Sequence, residues 1–231
     1  MRNVVAVYLL IAGLTTTCTF GQKMDTRNVS DFTGIEASGK FDITVVKGDT
    51  ESLTIEADDD VLPYVRSKVK EGELCLYVKK GIFRKIANSK SIKATIVMKN
   101  MKEVSLSDAC KLTSNDLFTP KKFKGECSGT SSMSINVNAE KVSIECSDAS
   151  LVDLKGSAVK IEIEMSGSSI LRAEDFTART ADIETSGTSS VTINVTDVLK
   201  VEASKASQVY YKGSPVVKIE SSGESKVKQI Q

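Results

Sequence analysis

Residues 143–154 read SIECSDASLVDL, and the same pattern returns throughout the C-terminal half. It appears as VSLSDACKL at 104–112, GECSGTSSMSI at 125–135, EIEMSGSSIL at 162–171, DIETSGTSSVTI at 182–193, VEASKASQVYY at 201–211 and IESSGESKV at 219–227. A serine opens a small-residue turn in each unit: Ser107, Ser128, Ser147, Ser166, Ser186, Ser204 and Ser222, at intervals of 21, 19, 19, 20, 18 and 18 residues. Ser38-Gly39-Lys40-Phe41 is a candidate eighth copy upstream.

Inside a unit, apolar and small residues fall on one parity. Val142, Ile144, Cys146, Asp148, Ser150, Val152 and Leu154 share a face, as do Ile161, Ile163, Met165, Gly167, Ser169 and Leu171. Alternation of period two predicts strand, not helix. A Gly or Asp in mid-run marks a bend between two short strands. One such unit cannot bury its apolar face alone, whereas stacked units bury Val on Val and Ile on Ile about 4.8 Å apart. The L-x-x-L-x-L pattern of leucine-rich repeats is missing. An antiparallel sandwich would not require equivalent serines at nearly constant spacing. The expected fold is therefore all-β: a parallel β-helix with an irregular N-terminal β layer and one short helix.

The composition agrees. The chain has 231 residues, 40% hydrophobic but only 5% aromatic, with no Trp and three Pro, so Val, Ile, Leu and small side chains must fill thin, regular layers. Lys plus Arg number 31 and Asp plus Glu 30. Such balance carries no electrostatic footprint for nucleic acid or an anionic membrane. Histidine is absent, which removes Ser-His-Asp and Cys-His catalysis and His-ligated metal sites.

Residues 1–21, MRNVVAVYLLIAGLTTTCTFG, have a basic start, an apolar stretch from Val4 to Leu14 too short to span a bilayer, and a small polar tail. This is the pattern of a signal peptide. Cleavage after Thr19-Phe20-Gly21 is favoured over lipidation of Cys18, because Thr17 stands where lipoprotein signals carry Gly, Ala or Ser. The expected location is the periplasm or the outer cell surface. No other stretch is apolar enough to cross a membrane as a helix.

Residues 22–103 are expected to form a β layer that caps and extends the coil of residues 104–231, with 22–231 also readable as one continuous domain. Alternation marks strands at Phe41–Val45, Leu53–Glu56, Leu74–Val78 and Ile92–Met98, and a Lys- and Arg-rich loop spans Lys79 to Lys90. Asp58 to Val69 is the helix candidate. It starts with acids, tolerates Pro63 in its first turn, and places Leu62, Val65 and Val69 on one face.

Asn28-Val29-Ser30-Asp31-Phe32-Thr33-Gly34-Ile35-Glu36-Ala37-Ser38-Gly39, taken with the recurring Ser-Gly-x-Ser unit, resembles the head GIN domain family of putative auto-transporter adhesins over residues 28–230. The resemblance implies an exported envelope protein with a β-helical domain and no established catalytic residues. At Asp108, Asp148 and Lys205 the family's turn glycine is replaced.

Several residue sets could carry function. Glu126, Glu145, Glu164, Glu184, Glu202 and Glu220 hold the same outward position in successive units, so stacking makes a carboxylate column. Ca²⁺ takes carboxylate oxygens, so this column is the candidate metal site. The competing and favoured reading is a solvated face neutralised by Lys122, Lys124, Lys141, Lys160, Lys200 and Lys218. The inward column Cys110, Ser131, Ser150, Ser169, Ser189, Ser207 and Ser225 reads as a buried hydroxyl ladder rather than a set of nucleophiles. Cys127 and Cys146 occupy equivalent positions, either as a disulfide or as stacked free thiols. Tyr210 and Tyr211 form a glycan platform or a packing pair.

The first functional reading is a non-catalytic, adhesin-like envelope module for a protein or glycan ligand, without a cofactor unless Ca²⁺ binds. The alternative is a polysaccharide lyase or hydrolase acting on acidic glycans, for which only Arg172 and Arg179 are available in the repeats. A third is assembly through the last strand, which Lys226 and Lys228 would guard.

Overall fold

The computed structural model describes residues 22–79, 81 and 92–231. The signal segment and most of the 79–90 loop lie outside them. In the N-terminal part the strands are β1 (Gln22–Arg27), β2 (Gly34–Gly39), β3 (Phe41–Lys47), β4 (Ser52–Asp58), β5 (Val65–Lys70), β6 (Glu73–Val78) and β7 (Ile92–Met98). Then come β8 (Glu103–Asp108), β9 (Lys111–Phe118), β10 (Lys122–Cys127), β11 (Ser132–Cys146), β12 (Leu151–Met165), β13 (Ile170–Thr185) and β14 (Ser190–Ala203). The chain closes with β15 (Gln208–Lys212), β16 (Val216–Ser221) and β17 (Lys226–Gln229).

From β8 onward every pairing is parallel. The first half of β11 lies on β9 and its second half on β10, so each long strand wraps a corner. The register is that of the repeat: Val142 faces Ile161, then Ala181, then Leu199, while Ile144 faces Ile163, Ile183 and Val201. Like side chains therefore stack on like, and one continuous apolar core runs from Phe32 to Val209. The β-helix read from the alternation is the fold.

The upstream copy is a true rung. Ser38 pairs with Ser107 and Gly39 with Asp108, so β2 and β3 extend the coil beneath β8 and β9. Below them lie β6 and β7. Antiparallel strands then cover this end: β4 on β7, β1 on β4, and β5 on β6. The Arg27 guanidinium ties the two coverings together, donating to Ser67 Oγ at 2.9 Å and to the Val65 carbonyl at 3.2 Å. Edge strands invite foreign pairing, and these antiparallel pieces cover the parallel edges of β6 and β7 at this end.

The backbone ladder does not stop at the serine turns. Ala149 N–H donates to Gly129 O, Ser168 to Asp148 O, Thr188 to Gly167 O, Ala206 to Gly187 O and Glu224 to Lys205 O. Continuity demands one turn shape in every rung, and that shape is left-handed. Gly129, Gly167, Gly187 and Gly223 have φ of 69°, 69°, 77° and 69°, while Asp108, Asp148 and Lys205 adopt φ of 62°, 60° and 60°. The residues that replace glycine keep the glycine conformation, at a cost of roughly 1 kcal/mol each. None of the three has another non-glycine residue directly above or below it in the stack. A Cβ built on Gly187 would lie 2.3 Å from the Gly167 carbonyl oxygen. The left-handed turn also rotates Asp148 and Gly167 to the surface, although parity alone would place them inward.

The helix expected over 58–69 does not form. β4 runs to Asp58, a 3₁₀ turn occupies Leu62–Tyr64, and Val65–Lys70 is strand β5. The deciding signal is Glu71-Gly72, both at positive φ (53° and 83°), between Lys70 and its partner Glu73. A two-residue loop with both φ values positive makes a tight hairpin whose twist matches its strands. Val65, Ser67 and Val69 then alternate with Arg66, Lys68 and Lys70 as a strand.

Gly187→Ala should destabilise the chain by roughly 2 kcal/mol or more in urea denaturation. Lys205→Gly, at a site already left-handed, should stay within about 1 kcal/mol of the parent or exceed it. Equal losses for both would contradict a common turn shape.

Candidate functional site

The outward residue two places before each turn serine builds one continuous column. Glu126 is paired in register with Glu145, Glu145 with Glu164, Glu164 with Glu184, Glu184 with Glu202 and Glu202 with Glu220. Ser105 lies next to Glu126, and Glu36 and Cys75 continue the column toward the capped end. The sequence carries a signal for this extension, since Glu36 stands two residues before Ser38 as Glu126 stands before Ser128. Between the glutamates and the turn serines runs a groove of about 800 Å³, from Ser105 to Ser222.

Stacked carboxylates repel one another, and a parallel column of lysines answers them over most of the length. Lys124 pairs with Glu126 and reaches Glu145 at 3.3 Å. Those carboxylates, Glu126 first, hold its ammonium above the usual lysine range. Lys200 lies 2.8 Å from Glu202 and 3.6 Å from Asp182, and Lys218 lies 2.9 Å from Glu220. Lys141 and Lys160 do not serve the column. They converge on Glu162 at 2.6 and 2.7 Å, and hold its carboxyl below the ordinary range by hydrogen bonding. Glu164 and Glu184, both exposed, carry no ion pair among the described residues. The groove is thus neutralised at its two ends and bare in the middle.

The inward column is in line and buried: Cys110, Ser131, Ser150, Ser169, Ser189 and Ser207 are each at most 1% exposed. Ser131, Ser169, Ser189, Ser207 and Ser225 donate to the carbonyl three residues back, at 2.8 to 2.9 Å. The hydroxyl closes its own turn, and in Ser131, Ser207 and Ser225 it also reaches a carbonyl of the preceding rung, at 3.3, 3.4 and 3.2 Å. Ser150 instead lies beside the Cys146 thiol. Cys127 and Cys146 are register partners and free, and their mutual hydrogen bond together with burial keeps the Cys127 thiol protonated. Burial likewise pushes Cys110 up to about 11. Arg179 forms a two-point contact with Asp197 at 3.0 and 2.9 Å, and Arg172 lies 3.6 Å from Asp153. Tyr211 packs against the core, and Tyr210 donates to Gln208 at 2.7 Å.

A family model described as putative auto-transporter adhesin, head GIN domain, matches residues 31–215. No curated protein matches the chain. Among solved structures, a putative adhesin from Bacteroides fragilis is 20% identical with a TM-score of 0.83, covering 92% of this chain and 98% of that one. A putative adhesin from Parabacteroides merdae gives 16% identity and a TM-score of 0.67, over 92% and 98% of the two chains. A putative lipid binding protein from Parabacteroides distasonis gives 13% and 0.72, again over 92% and 98%. At these identities the likeness is one of fold.

The Lys141–Glu162–Lys160 cluster sets a pH signature. A carboxyl depressed in the folded state contributes stability that is present above its unfolded value near 4.5 and is lost as pH falls through the folded value. Glu162→Gln should cost roughly 0.5 kcal/mol at pH 7, as expected for a partly exposed pair. That difference should vanish in acid below the folded value, read by urea denaturation across pH. A difference that persists in acid would assign the loss to packing.

Proposed function

The chain belongs to the family of putative auto-transporter adhesins with a head GIN domain, and from that membership we propose that it is an exported, non-catalytic binding module of the cell envelope. Its binding surface is the groove between the glutamate column and the turn serines. The observation that carries this reading is the bare pair Glu164 and Glu184 at the middle of the groove, between ends already neutralised by Lys124, Lys200 and Lys218. Carboxylates accept hydrogen bonds from sugar hydroxyls or from the cationic groups of a protein, and flanking serine hydroxyls both donate and accept. Repetition about every 4.8 Å suits an extended ligand lying along the rungs. If the ligand is itself acidic, Ca²⁺ would bridge it at Glu164 and Glu184.

In this reading residues 22–103 serve as the base that caps and extends the coil, and residues 104–231 carry the binding face. The signal-like segment supports export. Among the described residues no helix is long and apolar enough to cross a membrane. Support for a non-catalytic role comes from the absence of histidine and from the likeness of the bare pair. General acid–base work needs titratable groups whose environments differ, whereas Glu164 and Glu184 are both exposed and both without an ion pair among the described residues.

A glycan array and a panel of envelope proteins, each probed with and without Ca²⁺, test the assignment. The expected outcome is binding to a defined ligand class that drops at least tenfold in Glu164→Gln/Glu184→Gln. Unchanged binding in that variant, or release of unsaturated sugars from an acidic glycan, would overturn it.

A further inference from the structure

We propose that Glu36, Glu73 and Cys75 form a zinc site on the outer face of the first rungs, separate from the groove. Glu73 and Cys75 sit two apart on β6, and β2 places Glu36 opposite Cys75 and Gly34 opposite Glu73. A carboxylate oxygen from each glutamate and the Cys75 sulfur all lie within 4.8 Å of one another. Few side chains need to move to bring three such atoms around one ion, for which Zn–O distances of about 2.0–2.2 Å and a Zn–S distance of about 2.3 Å are usual.

Two further features mark this cluster. Cys75 points away from the core by parity, yet it is only 6% exposed, and its thiol hydrogen-bonds to the Glu73 carbonyl at 3.8 Å and to the Glu36 side chain. Both partners belong to the cluster, so the sheltered thiol is aimed into it. The second feature is the space over Gly34. A Cβ at that position would come within 2.8 Å of Glu73 Cγ, so the missing side chain is what lets Glu73 lie across its neighbour, with Glu103 on the far side.

Glu36, Glu73 and Glu103 have no ion pair among the described residues, in contrast to the lysine-matched stretches above. Lys68, the β5 partner of Cys75, holds its ammonium over the Tyr77 ring, 5.7 Å from the centroid. A divalent cation would supply charge opposite these carboxylates. The donor set selects which one: Ca²⁺ and Mg²⁺ take oxygen ligands, whereas a thiolate with two carboxylates suits zinc. On binding, the Cys75 S–H bond is exchanged for a metal–sulfur bond, the proton goes to solvent, and nothing is oxidised or reduced. Three protein ligands leave a fourth position for water or a group from a bound partner.

Titration of the reduced chain with Co²⁺ as a spectroscopic probe, followed by displacement with Zn²⁺, tests the site. One equivalent of Co²⁺ should produce tetrahedral visible bands and a sulfur-to-cobalt charge-transfer band. Cys75→Ser should abolish the charge-transfer band. Glu36→Gln, an exposed change that leaves the core untouched, should weaken Zn²⁺ binding at least tenfold, while Glu164→Gln/Glu184→Gln should leave it unchanged. No band at one equivalent, a charge-transfer band surviving in Cys75→Ser, or unaltered affinity in Glu36→Gln would each overturn the proposal. Loss of binding in the Glu164/Glu184 variant alone would do so too, by placing the ion in the groove.

Discussion

Everything in this molecule follows from the need to carry a parallel backbone ladder around a corner without losing a hydrogen bond. Strands stack readily, whereas turns do so only if each has the shape of the one beneath it. The repeat meets that condition with a left-handed residue that lets the chain reverse and a serine hydroxyl that closes on the carbonyl three residues back. The hydroxyl thereby finds an acceptor within its own turn, and Ser131, Ser207 and Ser225 add a second in the rung before. Asp108, Asp148 and Lys205 show how far the rule bends. A side chain is admitted on the left-handed residue where the rungs above and below carry glycine.

Exact register has an electrostatic consequence. Any charged position in the repeat is multiplied into a column, and a column of one sign is unfavourable unless a second column answers it. Lysines two residues away do this at both ends of the groove. Where the repeat departs from that offset, at Glu162 and Asp182, the lysines are drawn off and Glu164 and Glu184 are left bare. The same logic at the capped end, with a glycine in place of a side chain and a thiol among carboxylates, leaves glutamates that have no ion pair among the described residues. Both features are gaps in an otherwise matched lattice, and their difference in donor chemistry separates the partners they would take.

The coil was legible because two periodicities coincide: alternation within a unit and constant serine spacing between units. The glutamate column followed at a fixed offset from each serine. What alternation could not convey was turn handedness, so Asp148 and Gly167 were assigned inward. Acids and a proline before a valine run mimicked a helix start, while the hairpin signal Glu71-Gly72 lay just beyond it. The lysine partners depend on side-chain reach across rungs, which spacing alone does not determine. The cluster of Glu36, Glu73 and Cys75 joins two strands whose adjacency is set by threading rather than by repeat.

That threading bears on how the chain reaches its final state. β2 and β3 come early in the chain but lie between β6–β7 and β8–β9, so Ser38 meets its partner Asp108 across 70 residues. Each rung of the distal coil, by contrast, closes on one about 19 residues away. Contacts near in sequence form faster than distant ones, and solenoids grow by adding units to an existing stack. The distal coils therefore rest on contacts near in sequence, whereas the joint between base and coil is closed by distant ones, which makes it the slower part to form.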